Sequence, residues 1–443
     1  MDKTLPTTEL SSALDMLSDE GSPVDWTVPA DVLIEIGEPA LLPLADVLAS
    51  AGSPEVARRA MWALTRLEGV DPSSYVPLLR HPHAEVRSTA LSPFRFMGEA
   101  VIGYADQLIP SLGDPEADVR QRAVWAFKAM GDAAVPVLRR LRQQPATGPR
   151  IRATALEALA TIGGPGALGE RDLAAWRRLT RIKRLTETAP ERFHLCGSWY
   201  AVPSDDQAAV LAAFDLSDPE PVTLRTGASA WNHDSHNWGG KRPHERCARV
   251  FVSPALDGWT LVFGRSSQDR HRIEDAEDQE AARSEVVRER CADLSRRFGA
   301  AHWYGMSCGD GWTAWCIAEG GEVVRFYDAF EADEKGIVGV RHPAESGFLL
   351  PHETVDTGDA LDSFTEELHS AGNQLDVEAF YRRYAQARRD LGIPDTCYAI
   401  DIAARLSINP SALGARTRIT GSGVLALTAC GRRYGHPTGA LSM

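Results

Sequence analysis

The chain has 443 residues, 44% of them hydrophobic and 24% charged, with a formal net charge of −14. That length exceeds a single ordinary core, so two or three domains are expected. No apolar run could cross a bilayer as a helix, and the acid excess argues against general nucleic-acid binding while leaving room for a local basic patch. Seven scattered cysteines, with no pair two residues apart, read as reduced thiols. With no basic, then apolar leader at the start, the expected location is the cytoplasm and no membrane partner is expected.

Residues 1–28 are polar and read as a loosely ordered lead-in carrying one helix over 10–17. From Pro29 a pattern repeats: Val56-Ala57-Arg58-Arg59-Ala60, Val86-Arg87-Ser88-Thr89-Ala90, Val119-Arg120-Gln121-Arg122-Ala123 and Ile151-Arg152-Ala153-Thr154-Ala155. The first residues of these copies lie 30, 33 and 32 positions apart, a period of helical solenoids. Gly37, Gly98, Gly131 and Gly163 follow apolar runs as helix C-caps would, and Pro43, Pro77, Pro110 and Pro136 stand early in the next helix. Ala60, Leu64 and Leu67 align with Ala90, Phe94 and Met97, with Ala123, Phe127 and Met130, and with Ala155, Leu159 and Ile162. Spacings of four and seven make one stripe, which only a stacked neighbour can bury.

Over about residues 29–165 these units resemble the HEAT-repeat family in its short bacterial form, the PBS-lyase-like repeat. The resemblance implies an α-solenoid and carries little about function. Off the stripe, Trp62 and Trp125 hold equivalent places, beside a ladder of Arg87, Arg120 and Arg152. The plain reading is that these arginines pair within the solenoid; the sharper one is that tryptophan and arginine form a wall that binds a protein or peptide. Some HEAT-like proteins bind damaged DNA, but the net charge disfavours it. In residues 166–190, Leu173, Trp176, Leu179 and Ile182 share one side among basic residues, as a capping helix would.

Near residue 193 the period becomes strand-like. Strands are expected over 198–202, 221–225, 249–253, 259–263, 302–306, 312–318 and 323–327, with helices at about 206–214 and 276–298. That order implies an α+β domain, 193–330, with a largely antiparallel sheet and no glycine-rich phosphate loop. Residues 198–202 and 257–262 resemble an uncharacterised bacterial domain family, which implies a domain and no activity. Between strands, Trp231-Asn232-His233-Asp234-Ser235-His236-Asn237-Trp238 reads as a loop, continuing to His244 and Cys247. Trp231 and Trp238 suit a binding loop, and His233, His236, His244 and Cys247 are ligands zinc would accept. His302, Cys308 and Asp310 match no nucleophile signature.

Residues 331–443 read as a loop-rich and helical segment packing on the α+β domain, with helices at 377–391 and 396–406 and a strand at 424–428 that extends the sheet. The fold class is therefore multidomain: an N-terminal α-solenoid of HEAT-like repeats over 29–190, then the α+β domain. The expected function is a non-enzymatic protein-interaction or accessory protein. The alternative is a metal-dependent enzyme whose macromolecular substrate the array recruits.

Overall fold

The computed structural model describes residues 7–187, 193–236, 247–332, 336–353, 361–371 and 377–435. The chain divides into two compact units, Met1–Gly169 and Glu170–Met443.

The first unit is a stack of helices: α1 (Thr7–Ser18), α2 (Thr27–Ile36), α3 (Glu38–Ala49), α4 (Pro54–Leu64), α5 (Pro72–Tyr75), α6 (Ala84–Ala90), α7 (Ser92–Met97), α8 (Ala105–Leu108), α9 (Ala117–Met130), α10 (Val135–Gln143) and α11 (Pro149–Gly163). The repeated stripe is its core. Ala60, Leu64, Ala90, Phe94, Ala123, Phe127, Ala155 and Leu159 are all fully buried, as stacking of amphipathic faces demands. Two details depart from the expected pattern. The third copy of the stripe's last position, Met130, is buried, but Met97 is 43% exposed. The second repeat's long helix is broken at Leu91, ahead of Pro93, into α6 and α7, and a proline there cannot donate the backbone bond that would continue it. The final cap is Gly164, with Gly163 still helical. The lead-in is also more ordered than its composition implies, since α1 buries Ala13 and Leu17 and packs on α2 and α4.

The second unit opens with α12 (Glu170–Arg184), the helix read from the sequence as a solenoid cap. Within this unit Arg177 pairs with Glu220 at 2.6 Å and Arg184 bonds Ser422. Then follow β1 (Gly197–Val202), α13 (Gln207–Ala213), β2 (Ser217–Val222), α14 (Leu224–His236), β3 (Arg249–Leu256), β4 (Trp259–Phe263), α15 (Ser267–Glu274), α16 (Gln279–Phe298), β5 (Ala300–Met306), β6 (Thr313–Glu319), β7 (Glu322–Asp328) and β8 (Ile337–Val338). The chain closes with α17 (Asp362–Ala371), α18 (Val377–Asp390), α19 (Ala399–Leu406), β9 (Ile419–Thr420), β10 (Gly423–Leu427) and α20 (Ala429–Tyr434).

One antiparallel sheet runs β2-β10-β3-β4-β1-β5-β6-β7-β8, with β9 on β3. The late strand β10 inserts between β2 and β3, so the C-terminal segment completes the sheet. Alternation sorts the side chains onto two faces. Tyr200, Val252, Val262, Trp303, Cys316 and Phe326 meet Val287, Cys291 and Leu294 of α16 on one face. Trp199, Phe251, Phe263, Tyr304, Trp315 and Tyr327 form the other, on which α14 packs against β3 and α19 against β5 and β6. Both faces are covered, which is why Trp199, Trp303 and Trp315 are fully buried bulk.

Candidate functional site

Two arginines of the array's ladder, Arg87 and Arg120, turn inward on their own chain. Arg87 makes a bidentate pair with Asp114, at 2.8 and 2.9 Å, and donates to the carbonyls of His81 and Pro82. Arg120 repeats the second half of that geometry one repeat on, donating to the carbonyls of Asp114 and Pro115. Both arginines thus satisfy the turn that leads into their own helix. Arg58 and Arg59 are held by Glu55. Arg152 is half-buried, and its carbonyl accepts a bond from Arg142. The two tryptophans differ. Trp62 is half-buried, edge-on to Trp26 at 5.2 Å, with Arg66 over its ring. Trp125 is 38% exposed and carries Arg95 at 5.1 Å. Beside Arg95 in α7, Phe96 is 69% exposed.

In the second unit the stretch read as a loop is helical through His236. Residues 231–236 are the end of α14, because Ala228, Trp231 and Asp234 fall three apart and are all buried on one side. Trp231 lies against Phe263, ring centroids 4.9 Å apart, and is buried, so it belongs to a packed helix face and not to a loop. Asp234 forms a bidentate pair with Arg249, at 2.6 and 2.9 Å, and the arginine side chain is 1% exposed. Two glycines let this helix sit so close. A Cβ at Gly227 would fall 2.0 Å from the Phe251 ring, and one at Gly197, whose φ is +130°, would fall 3.1 Å from the Trp231 ring.

The end of α14 meets two other segments. Ahead of β1, Phe193 and Leu195 point inward while His194 and Cys196 alternate outward. Gly197 pairs with Met306, so the residues before β1 run beside those after β5. There the Cys308 backbone N–H donates to Cys196 Sγ at 3.5 Å. His194 and His236 rings lie 5.6 Å apart. The ligand atoms of His194, Cys196, His236 and Cys308 all fall within 4.8 Å of one another.

Of the ligands expected from the sequence that lie among the described residues, His236 alone joins this group. His233 lies one turn back in α14, outside it. Cys247 is buried beside Cys430, and burial pushes its thiol up to about 12. His244 and Trp238 lie outside the described residues. His194 and Cys196 were missed, although a His-x-Cys pair alternating with Phe193 and Leu195 ahead of a strand was a usable signal. His302 does not meet Cys308. It stacks on Trp259 at 5.1 Å and bonds Tyr304, and burial lowers its pKa to about 4.

Cys196 and His236 also line a cavity of about 450 Å³. Arg249, Arg265, Arg270 and Arg283 converge on it, with Trp231 and Trp312 among the walls. Three of the arginines are neutralised: Arg249 by Asp234, Arg270 by Glu274 and Arg283 by Asp328. Arg265 makes no hydrogen bond or ion pair to the described residues. Burial lowers its pKa, and Arg283 and Arg270 repel its charge in the same direction, against the opposing effects of Tyr200 and Asp269.

Comparison with known proteins bears on the array. Residues 105–169 match the family described as HEAT repeats. No curated protein is similar to the chain. Among solved structures, an engineered protein is 18% identical over 40% of this chain and 88% of that one, with a TM-score of 0.23, too low to carry an argument.

Proposed function

We propose that this is a non-enzymatic interaction protein whose helical array holds a protein or peptide partner. Helical repeats of the matched family serve as interaction scaffolds, which supports the general role. The observation that carries the finer reading is the exposure of Phe96, Met97 and Trp125, with Arg95, the neighbour of Phe96 in sequence, lying over the Trp125 ring. Aromatic and arginine side chains dominate binding hot spots, so large exposed side chains of these kinds are the candidates for partner contact. Affinity capture with wild type and with Phe96→Ala/Trp125→Ala tests it. The variant should lose a partner that wild type retains, with its circular dichroism unchanged. Identical captured sets would remove this surface from the reading.

A second reading is favoured by the cavity. An arginine with no hydrogen-bond or ion-pair partner among the described residues, beside three others, is a place for a small anion such as a carboxylate or phosphate group. That reading makes the sheet domain a ligand-binding module. A metal-dependent enzyme fits the geometry less well, because a catalytic zinc keeps one position open and four converging protein ligands would close it.

A further inference from the structure

We propose that His194, Cys196, His236 and Cys308 bind a single zinc ion in a closed, tetrahedral site of two nitrogens and two sulfurs. This stands independently of the protein-binding role of the array. Three separate stretches of chain, ahead of β1, at the end of α14 and in the β5–β6 turn, bring soft ligands together, and each is fixed by something other than a metal. The β1–β5 register with Gly197 opposite Met306 sets the two cysteines side by side. The buried Asp234–Arg249 pair and Trp231 pin the last turn of α14, two residues from His236. The turn carrying Cys308 is closed by the Ser307 N–H donating to the Trp312 carbonyl at 2.9 Å and by the Asp310 carboxylate accepting from Trp312 N–H at 3.0 Å.

The chemistry of the donors matches zinc. His236 Nδ1 lies 2.8 Å from the Asn232 carbonyl oxygen, which can only accept, so the proton is on Nδ1 and the Nε2 lone pair is free to bind. Fixing a ligand imidazole through its other nitrogen is the usual arrangement at zinc sites. With Zn–S of about 2.3 Å and Zn–N of about 2.0 Å, donor atoms sit roughly 3.3–3.8 Å apart around the ion. The four here are already within 4.8 Å, so closing on an ion asks for shifts on the order of 1 Å. Two imidazoles and two thiols select zinc over the harder, oxygen-seeking cations.

Binding replaces two S–H bonds by two Zn–S bonds and releases both protons to solvent. The two thiolates then cancel the charge of the ion, so the centre is neutral. It would clip the three segments together and steady one wall of the cavity, which Cys196 and His236 share, without adding a cation to it.

The test uses the full chain purified under reducing conditions, without chelator or a metal-affinity step. Elemental analysis should find one zinc per chain. Metal-stripped, reduced protein titrated with Co²⁺ should develop the visible bands of a tetrahedral site and a thiolate-to-cobalt band, both saturating at one equivalent. Cys196→Ser/Cys308→Ser should lose the ion and the thiolate band, whereas His233→Ala, outside the set, should keep both. Sub-stoichiometric zinc with a six-coordinate cobalt spectrum overturns the proposal. So does undiminished zinc in the double variant. The cobalt spectrum of wild type decides the matter even if a variant misfolds.

Discussion

The two compact units use arginine in different ways. In the array, Arg87 and Arg120 stand at equivalent places and do equivalent work, closing the turn ahead of their own helix. In the sheet domain, Arg249, Arg265, Arg270 and Arg283 come from different elements, share no sequence context and converge on one cavity. A charge that recurs with the structural period serves the repeat; charges that converge from unrelated positions mark a site. The contrast extends to aromatics, with Trp125 and Phe96 exposed on the array and Trp199, Trp303 and Trp315 buried in the sheet.

The largest effect that would sharpen this contrast is expected from Glu345, fully buried between Arg325 and the Trp315 N–H, both at 2.8 Å. Glu345→Ala strands a buried guanidinium and should cost about 3–5 kcal/mol. In the array, Asp114→Ala should cost less, about 1–3 kcal/mol, because Arg87 keeps its two carbonyl partners. Hydrogen exchange read by segment assigns each loss to its unit. Equal losses, or a loss in the wrong unit, would break the contrast. Next comes Gly227→Ala, whose methyl would drive into the Phe251 ring; overpacking there should cost about 1–3 kcal/mol, measured by urea unfolding.

The same contrast explains what the sequence disclosed. The array was legible because each repeat restates its apolar stripe, its cap and its arginine, so local pattern and tertiary role coincide. The antiparallel sheet was legible as alternation, down to the late strand that became β10, but the strand expected over 221–225 lies at 217–222, and α14 begins at Leu224. The site was not legible, since its donors are joined only by register. Cys196 and Cys308 are 112 residues apart and meet because β1 and β5 pair as they do. The cluster of histidines near residue 233 drew the eye to one stretch, and the helix period then sent His233 and His236 to different surroundings. Likewise Trp231 looked like a loop aromatic until its spacing from Ala228 and Asp234 placed it on a buried helix face.

Dependence on pH separates the units further. In the array, burial alone would raise the Asp114 carboxyl, but Arg87 and the Glu116 N–H outweigh it and leave it lowered. Its contribution is present above the ordinary carboxylate pKa and lost only as pH falls below it. The sheet domain holds two groups of opposite sign. Burial raises Glu187 from 4.5 to about 7, so its contribution is full below 4.5 and lost as pH rises to about 7. Burial lowers His302 from 6.5 to about 4, so its contribution is present above 6.5 and lost as pH falls to about 4. Between 4.5 and 6.5 the two oppose each other. Glu187→Gln should therefore unmask a sheet-domain stability that rises with pH through that window, seen in Tm against pH. An unchanged profile would remove Glu187 from the account.

The smallest expected change in stability tests the site most directly. Arg265 has no hydrogen-bond or ion-pair partner to strand among the described residues, and burial, with Arg283 and Arg270 nearby, outweighs Tyr200 and Asp269 and leaves its pKa lowered. Arg265→Gln should therefore shift stability by less than about 1 kcal/mol, in contrast to Arg249→Gln, which leaves Asp234 buried without its cation. What Arg265→Gln should remove is a response: inorganic phosphate should raise the Tm of wild type, by binding the folded state alone, and leave the variant where it was. Equal stabilisation of both would mean that phosphate acts elsewhere, and that convergence of arginines in the sheet domain is as structural as their repetition in the array. Loss of the response with stability intact would mark Arg265 as a charge held at some cost for a ligand, which no arginine of Arg87 and Arg120's kind, bonded to its own turn, is placed to do.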